Sequence, residues 1–359
     1  MMQQRIIGFD LARAYAILGM YIVNFNIVFG GKGTTPVSQF LALFSGNSST
    51  VFVMLAGMGV ALMTSRLTEY DQQDRTRLRS VINKRACFLF LLGLSLYLWW
   101  PADILHFYGG YMFIASFFLF LDKKIYLWVA SFTVVVFHLL LLLIPYEKGW
   151  NFDTLEYADF WTIPGFLRNT LYNGWNPIFP WLAYFIIGLY LGRLNWTDLR
   201  TQKRMFFIGL SIFAVISVSQ FISNRITIDQ GLHFFINADY LPPFLPFLLS
   251  TTGFGIMLIA SFMFLGKYVE DRTLFRDLAK TGQMTLTHYI SHLTVGMLLF
   301  AWMTGKKYSD PSTVKQSISP VGILSFSIAY FILSFYFSRL WTKKFKNGPF
   351  EILMRKISG

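Results

Sequence analysis

The sequence predicts an all-α fold: a polytopic helical bundle of about ten transmembrane helices, organised as a single transmembrane domain over 1–359 with no separate soluble domain. Three observations carry that prediction. Apolar residues make up 55% of the 359 residues and charged residues only 14%, with a mean hydropathy of +0.50. A soluble chain carries about 25% charge, so this one has too little to cover a water-facing surface of its size. Apolar runs close to the ~20 residues that a spanning helix needs recur from end to end. Lys and Arg, finally, are distributed unevenly between alternate connecting segments.

The runs lie at about 7–29, 48–65, 85–100, 104–121, 125–144, 174–192, 205–223, 242–266, 283–303 and 319–340. Trp100-Pro101-Ala102-Asp103 alone separates the third from the fourth, which predicts a tight helical hairpin, and Asp122-Lys123-Lys124 divides the fourth from the fifth. The longest polar interruption, about 145–173, contains Trp150, Trp161 and Pro164 and reads as an interfacial loop or short helix. Asn176-Pro177-Ile178-Phe179-Pro180-Trp181 opens the sixth run, where two prolines loosen the backbone at a helix mouth. No internal repeat or low-complexity stretch interrupts the series.

With the N-terminus inside, one face of the bilayer receives 23 Lys and Arg. They are Arg5, six in 66–86, Lys123, Lys124, Arg193, Arg200, Lys203, Arg204, Lys267, Arg272, Arg276, Lys280 and six from Arg339 onward. The other face receives seven: Lys32, Lys148, Arg168, Arg225, Lys306, Lys307 and Lys315. The positive-inside rule then places both termini in the cytoplasm. The same asymmetry explains the net charge of +13 without nucleic acid as a partner. Cys87, the single cysteine, excludes an internal disulfide and a CxxC metal or redox pair. Small residues Ala12, Ala14 and Ala16 lie at the start of the first apolar run, not after it, which argues against a cleaved signal peptide. No GxSxG elbow, P-loop or dinucleotide fingerprint is present.

Polar side chains inside apolar spans are costly and mark candidate sites. Asp10 and Arg13 are three residues apart on the first run, so they share a face and can pair. They form either a structural ion pair or a carboxylate holding a guanidinium ready for an anion. Asn24 lies eleven residues beyond Arg13, ~16 Å along the same face, as an interhelical hydrogen-bonding group or a site residue. His106 follows the short hairpin, with Asp103 one turn away to orient it, and a histidine beside a carboxylate suits general-base work. A wetted polar residue at a helix mouth is the plainer reading. His288 and His292 share a face at i, i+4; no acidic third ligand accompanies them, so a metal is not expected, and a substrate path or interhelical bonding both fit. His138, alone in Val136-Phe137-His138-Leu139-Leu140, is expected to have a core role.

Several segments together resemble a family. Arg5-Ile6-Ile7-Gly8-Phe9-Asp10-Leu11-Ala12-Arg13 with Ala16-Ile17-Leu18-Gly19 is similar to the opening helix of the YeiB-type bacterial membrane proteins. Leu55-Ala56-Gly57-Met58-Gly59, Asp103-Ile104-Leu105-His106-Phe107-Tyr108 and Pro180-Trp181-Leu182-Ala183-Tyr184-Phe185-Ile186-Ile187-Gly188 with Gly192-Arg193 extend the likeness. Gly282-Gln283-Met284-Thr285-Leu286-Thr287-His288-Tyr289 and the tail Gly348-Pro349-Phe350-Glu351 complete it. Those proteins are related to the transmembrane acyltransferase superfamily, which includes heparan-alpha-glucosaminide N-acetyltransferase and bacterial O-acyltransferases.

The resemblance implies a ten-helix core in the bacterial inner membrane that brings a cytoplasmic acyl-CoA, acetyl-CoA first among them, to a glycan, lipid or small-molecule acceptor beyond the membrane. The acyl-CoA is a co-substrate, and no tightly bound cofactor is implied; a homodimer is compatible with this reading. Bacterial O-acyltransferases carry Arg, ten residues and His on the first helix. Arg13 matches the arginine, but Asn24 stands in the histidine's place, so the base would come from His106 or His292. The leading expectation is therefore an acyltransferase with Arg13 and Asp10 at the donor, His106, Asp103 and Asn24 in catalysis, and His288, His292 and Asn176 along the substrate path. Its rival is a transporter or exporter of a small polar or anionic molecule, lined by the same residues. A non-catalytic scaffold or sensor is the third option.

Overall fold

A computed structural model describes residues 6–31, 33–64, 72–237, 239–305 and 318–359. Of the cations counted above, Arg5, Lys32, Arg66, Lys306, Lys307 and Lys315 lie outside the described residues.

The described chain is helical almost throughout. In order come α1 (Ile7–Phe29), α2 (Pro36–Ala42), α3 (Asn47–Thr64), α4 (Gln72–Tyr97), α5 (Leu105–Ala115) and α6 (Lys123–Leu143). A two-residue hairpin, β1 (Trp150–Asn151) and β2 (Glu156–Tyr157), pairs Trp150 with Tyr157. Then follow α7 (Ile163–Arg168), a π-helical turn (Asn169–Asn173), α8 (Ile178–Gly192), α9 (Leu199–Ser223), α10 (Gln230–Ile236), α11 (Leu245–Val269) and α12 (Thr273–Gln283). The chain ends with α13 (Thr285–Ser291), a second π turn (His292–Gly296), α14 (Met297–Thr304), α15 (Pro320–Trp341) and α16 (Pro349–Ser358). Local chemistry sets many of the starts. Thr35, Asp122, Thr162 and Ser319 each accept a backbone N–H of the first turn, and proline occupies that turn in α2, α7 and α15.

Among the described residues, seven helical stretches are long and apolar enough to cross a membrane: α1, α2 with α3, α4, α6, α9, α11 and α15. Their outward side chains include Leu142 and Trp128, about four-fifths exposed, which suits hydrocarbon and not water. The chain thus fits a multi-pass membrane protein embedded in a lipid bilayer. The three remaining expected runs coincide with shorter or interrupted helices: α5 of 11 residues, α8 of 15, and α13–α14 broken by its π turn.

The described chain clusters into two compact units, one of Met1–Phe52, Trp196–Leu210 and Phe254–Leu353, the other of Val53–Asn195, Ser211–Gly253 and Met354–Gly359. In the first, α1 packs on α12, α13 and α15. Gly282 makes the approach of α12 possible, since a Cβ there would fall 1.9 Å from the Asp10 carbonyl oxygen. Further along, Phe25 meets Phe300 and Phe326 edge-on, and those two rings stack at 4.1 Å. In the second unit α4 packs on α5, and α8 on both α5 and α6. Gly93 of α4 lies against the start of α5, where a Cβ would come within 2.1 Å of the His106 nitrogen.

Glu351 fastens the C-terminal segment of the first unit. Its Oε1 accepts from the Leu286 and Thr287 nitrogens at 2.7 and 3.1 Å, and Oε2 from the Thr287 hydroxyl at 2.5 Å, so it caps the first turn of α13. Burial pushes its carboxyl above the ordinary carboxylate range, opposed by these bonds. The docked state therefore holds the proton more tightly than the released one, and docking weakens as pH rises through that elevated value. Glu351→Ala leaves buried donors without an acceptor, each costing about 1–3 kcal/mol. Trypsin is expected to cut faster at Arg355 and Lys356 in Glu351→Ala, and Glu351→Gln is expected to flatten the pH dependence of cutting.

Candidate functional site

The second unit holds a buried carboxylate–imidazole pair. Asp103 precedes α5, and its Oδ2 accepts from both the His106 backbone nitrogen (3.1 Å) and His106 Nδ1 (3.0 Å). One carboxylate oxygen thereby caps the helix and orients the ring. Neither residue is exposed. With the proton on Nδ1, the Nε2 lone pair is the free face of the imidazole, and Nε2 has no partner among the described residues. Tyr97 and Phe160 present their rings edge-on at 5.8 and 6.1 Å, while Phe107 lies 3.8 Å away between centroids. This is an imidazole of fixed orientation in an apolar box, where water competes poorly for its Nε2. Asn176, in the same unit, donates from Nδ2 to the Tyr240 hydroxyl at 2.6 Å and accepts the Tyr111 hydroxyl on its carbonyl. Among the described residues no hydrogen bond joins it to His106.

The first unit holds two further clusters. Asp10 is buried, with Oδ1 3.1 Å from Arg13 NH1 and Oδ2 accepting from Gln283 Nε2 at 3.0 Å. The Arg13 side chain is one quarter exposed against 3% for that of Asp10. The carboxylate is thus the buried anchor and the guanidinium the more accessible partner.

Towards the other end of α1, Asn24 Nδ2 lies 2.8 Å from His292 Nε2. His292 Nδ1 faces the His288 carbonyl at 3.3 Å, so it carries the proton and Nε2 accepts from Asn24. His288 Nε2 donates to Ser338 Oγ at 2.8 Å, because the Ser338 hydroxyl is itself donated to the Ser334 carbonyl. Tyr21 likewise donates to Ser334, whose hydroxyl goes to the Tyr330 carbonyl. His288 and Tyr21 thus bond to serines that pass their hydrogen to a backbone carbonyl, and His292 bonds to one carbonyl and to the Asn24 amide, the pattern of helix-to-helix fastening.

Six of the residues singled out in the sequence thus form three pairs, Asp10 with Arg13, Asn24 with His292 and Asp103 with His106, while His288 and Asn176 bond to residues outside that set. His138 uses Nδ1 on the Val134 carbonyl of its own helix at 2.8 Å. Sequence reasoning missed Gln283, Ser338 and Phe160, whose partners lie far away in the chain. Two shallow grooves along α4, lined by Thr76, Arg79, Ser80 and neighbours and by Phe88, Leu91, Leu92 and neighbours, contain none of the site residues.

The sequence model of the family "Heparan-alpha-glucosaminide N-acetyltransferase, catalytic" matches residues 5–226, well over half of the chain. The chain belongs to that family. Residues 191–359 match a second family, "Protein of unknown function (DUF418)", which bears out the YeiB-type resemblance and its link to the acyltransferase superfamily. Asp10, Arg13, Asn24, Asp103, His106 and Asn176 fall within the first match, His288 and His292 within the second. No curated protein matches the chain.

Proposed function

We propose that this protein is an acetyl-CoA-dependent acetyltransferase of the bacterial inner membrane, with an amine or hydroxyl of an envelope glycan, lipid or small molecule as acceptor. Membership of an N-acetyltransferase catalytic family supports the reaction class, and the name of that family makes a hexosamine amine the first acceptor to try. The observation that carries the reading is the fully buried, unpaired Nε2 of His106, held in its tautomer by Asp103. His106 Nε2 takes the proton of the acceptor N–H or O–H as that atom attacks the thioester carbonyl. The new C–N or C–O bond forms, the C–S bond breaks, and the imidazolium returns the proton to the departing thiolate.

Arg13, steadied by Asp10, is assigned to a phosphate of the donor. Asn176, in the unit that holds His106, is assigned to the substrate path. Ten spans with both termini cytoplasmic complete the proposal, supported by the 23-to-7 cation count. The transport reading draws no support from the family matches.

Purified protein in detergent should release thiol from acetyl-CoA and label glucosamine with the acetyl group, the thiol being read by a colorimetric reagent. If acetyl-CoA neither binds nor is cleaved, with or without amine, the reading is wrong.

A further inference from the structure

Asn169 opens the π turn between α7 and α8 and is 1% exposed, yet neither Oδ1 nor Nδ2 has a hydrogen-bond partner among the described residues. Burying an amide in this way costs roughly 1–3 kcal/mol for each atom left unpaired, and such groups in a folded protein call for an explanation. The turn is rigidly held. The Gly174 nitrogen donates to the Asn169 carbonyl at 2.9 Å, Asn173 Nδ2 donates to the Tyr146 and Lys148 carbonyls, and the Tyr157 hydroxyl donates to Asn173 Oδ1 at 2.7 Å. Burial pushes Tyr157 up to about 12, so it remains a donor at neutral pH. The Asn169 side chain is therefore not free to swing out and find water.

Its surroundings tie it to the dyad. A Cβ on Gly174 would lie 2.6 Å from Asn169 Oδ1 and 2.9 Å from Phe107 Cζ, so the amide and that ring close over one spot. Phe107 is also the ring that lies against His106, whose buried Nε2 likewise has no partner among the described residues. Two unsatisfied polar groups thus flank a single phenyl ring inside one compact unit. One is a base and the other a neutral amide with one acceptor and two donors. Single-turn π segments inside helical stretches frequently mark functional sites, and this one presents Asn169 at its first position.

We propose that Asn169 binds an uncharged group of a substrate that both donates and accepts a hydrogen bond, a secondary amide or a hydroxyl, beside His106. Two sources share that chemistry: the pantetheine amides of the acyl donor and the hydroxyls of a hexosamine acceptor. The inference deepens the acetyl-transfer reading and rests on it for the identity of the substrates. A substrate group placed there would satisfy both the acceptor and the donors of the amide.

The test is Asn169→Leu, close in size and without polar atoms, in the purified full-length protein. The KM for acetyl-CoA or for glucosamine is expected to rise at least tenfold, with kcat at saturation little changed and the thermal midpoint equal or higher. A shift confined to acetyl-CoA assigns the amide to the donor, and one confined to glucosamine assigns it to the acceptor. A fall in thermal midpoint would show the amide fixed by structure or by a buried water, and overturns the proposal, as does an unchanged KM for both substrates. If the wild type transfers no acetyl group, the acetyl-transfer reading fails separately, and the site is then tested by equilibrium titration with desulfo-CoA and with glucosamine. At least tenfold weaker binding of either to Asn169→Leu upholds the proposal. Equal binding to both proteins, or none to the wild type, overturns it.

Discussion

Replacing His106 by alanine or glutamine is expected to lower kcat for thiol release by about 10²–10⁴-fold, the usual contribution of a positioned general base, while the KM for acetyl-CoA changes little. The size of the effect follows from Nε2 being the unpaired atom of an otherwise fixed ring. The fold should survive, because the bond that caps α5 runs from the backbone nitrogen of residue 106 to Asp103 Oδ2 and does not need the imidazole. Glutamine also keeps most of the buried volume. Asp103→Asn tests orientation separately: an amide can offer a donor to Nδ1, which moves the proton to Nε2 and removes the lone pair needed for the base. Its kcat should fall nearly as far as that of His106→Ala. Added imidazole is expected to restore part of the rate in His106→Ala and none in Asp103→Asn. Unchanged turnover in both variants would remove His106 from the mechanism.

What could be read in advance, and what could not, follows the range of the interactions. Apolar runs expected at 7–29 and 319–340 appear as Ile7–Phe29 and Pro320–Trp341, because an uninterrupted apolar helix is specified by its own residues. Asp10 with Arg13 and Asp103 with His106 were legible for the same reason: three residues on a helix is a fixed spatial offset. Asn24 and His292 each stood out as polar groups in apolar runs, yet they lie 268 residues apart in the chain, and nothing local announces that they meet. Gln283, 273 residues from Asp10, gave less signal still, since a glutamine at the start of an apolar run is ordinary. The expected continuous run at 283–303 is divided by a π turn at His292–Gly296, a one-residue irregularity that periodicity does not register. Asn169 fell within the polar interruption that reads as an interfacial loop. Its meaning comes from unpaired atoms, visible only in three dimensions.

The Asp10–Arg13 pair permits a test that separates fold from function. Arg13→Leu alone is expected to destabilise the protein by about 2–4 kcal/mol, below the 3–5 kcal/mol of a fully buried pair because the Arg13 side chain is one quarter exposed. Much of that loss arises because the substitution removes a cation 3.1 Å from a carboxylate that is only 3% exposed. Asp10→Asn removes the buried charge while keeping an oxygen for Gln283. The double variant Asp10→Asn, Arg13→Leu should therefore recover most of the thermal stability that Arg13→Leu loses. If Arg13 holds a donor phosphate, the double variant remains impaired in one specific respect: its KM for acetyl-CoA stays raised by about 10–100-fold, as expected for a charge-assisted contact worth 1.5–3 kcal/mol. Turnover of a short acetyl thioester without phosphates, such as N,S-diacetylcysteamine, should then be the same in the double variant and the wild type. Recovery of stability together with a normal KM for acetyl-CoA would instead assign Arg13 wholly to the packing of α1, because the two measurements respond to different ends of the same ion pair.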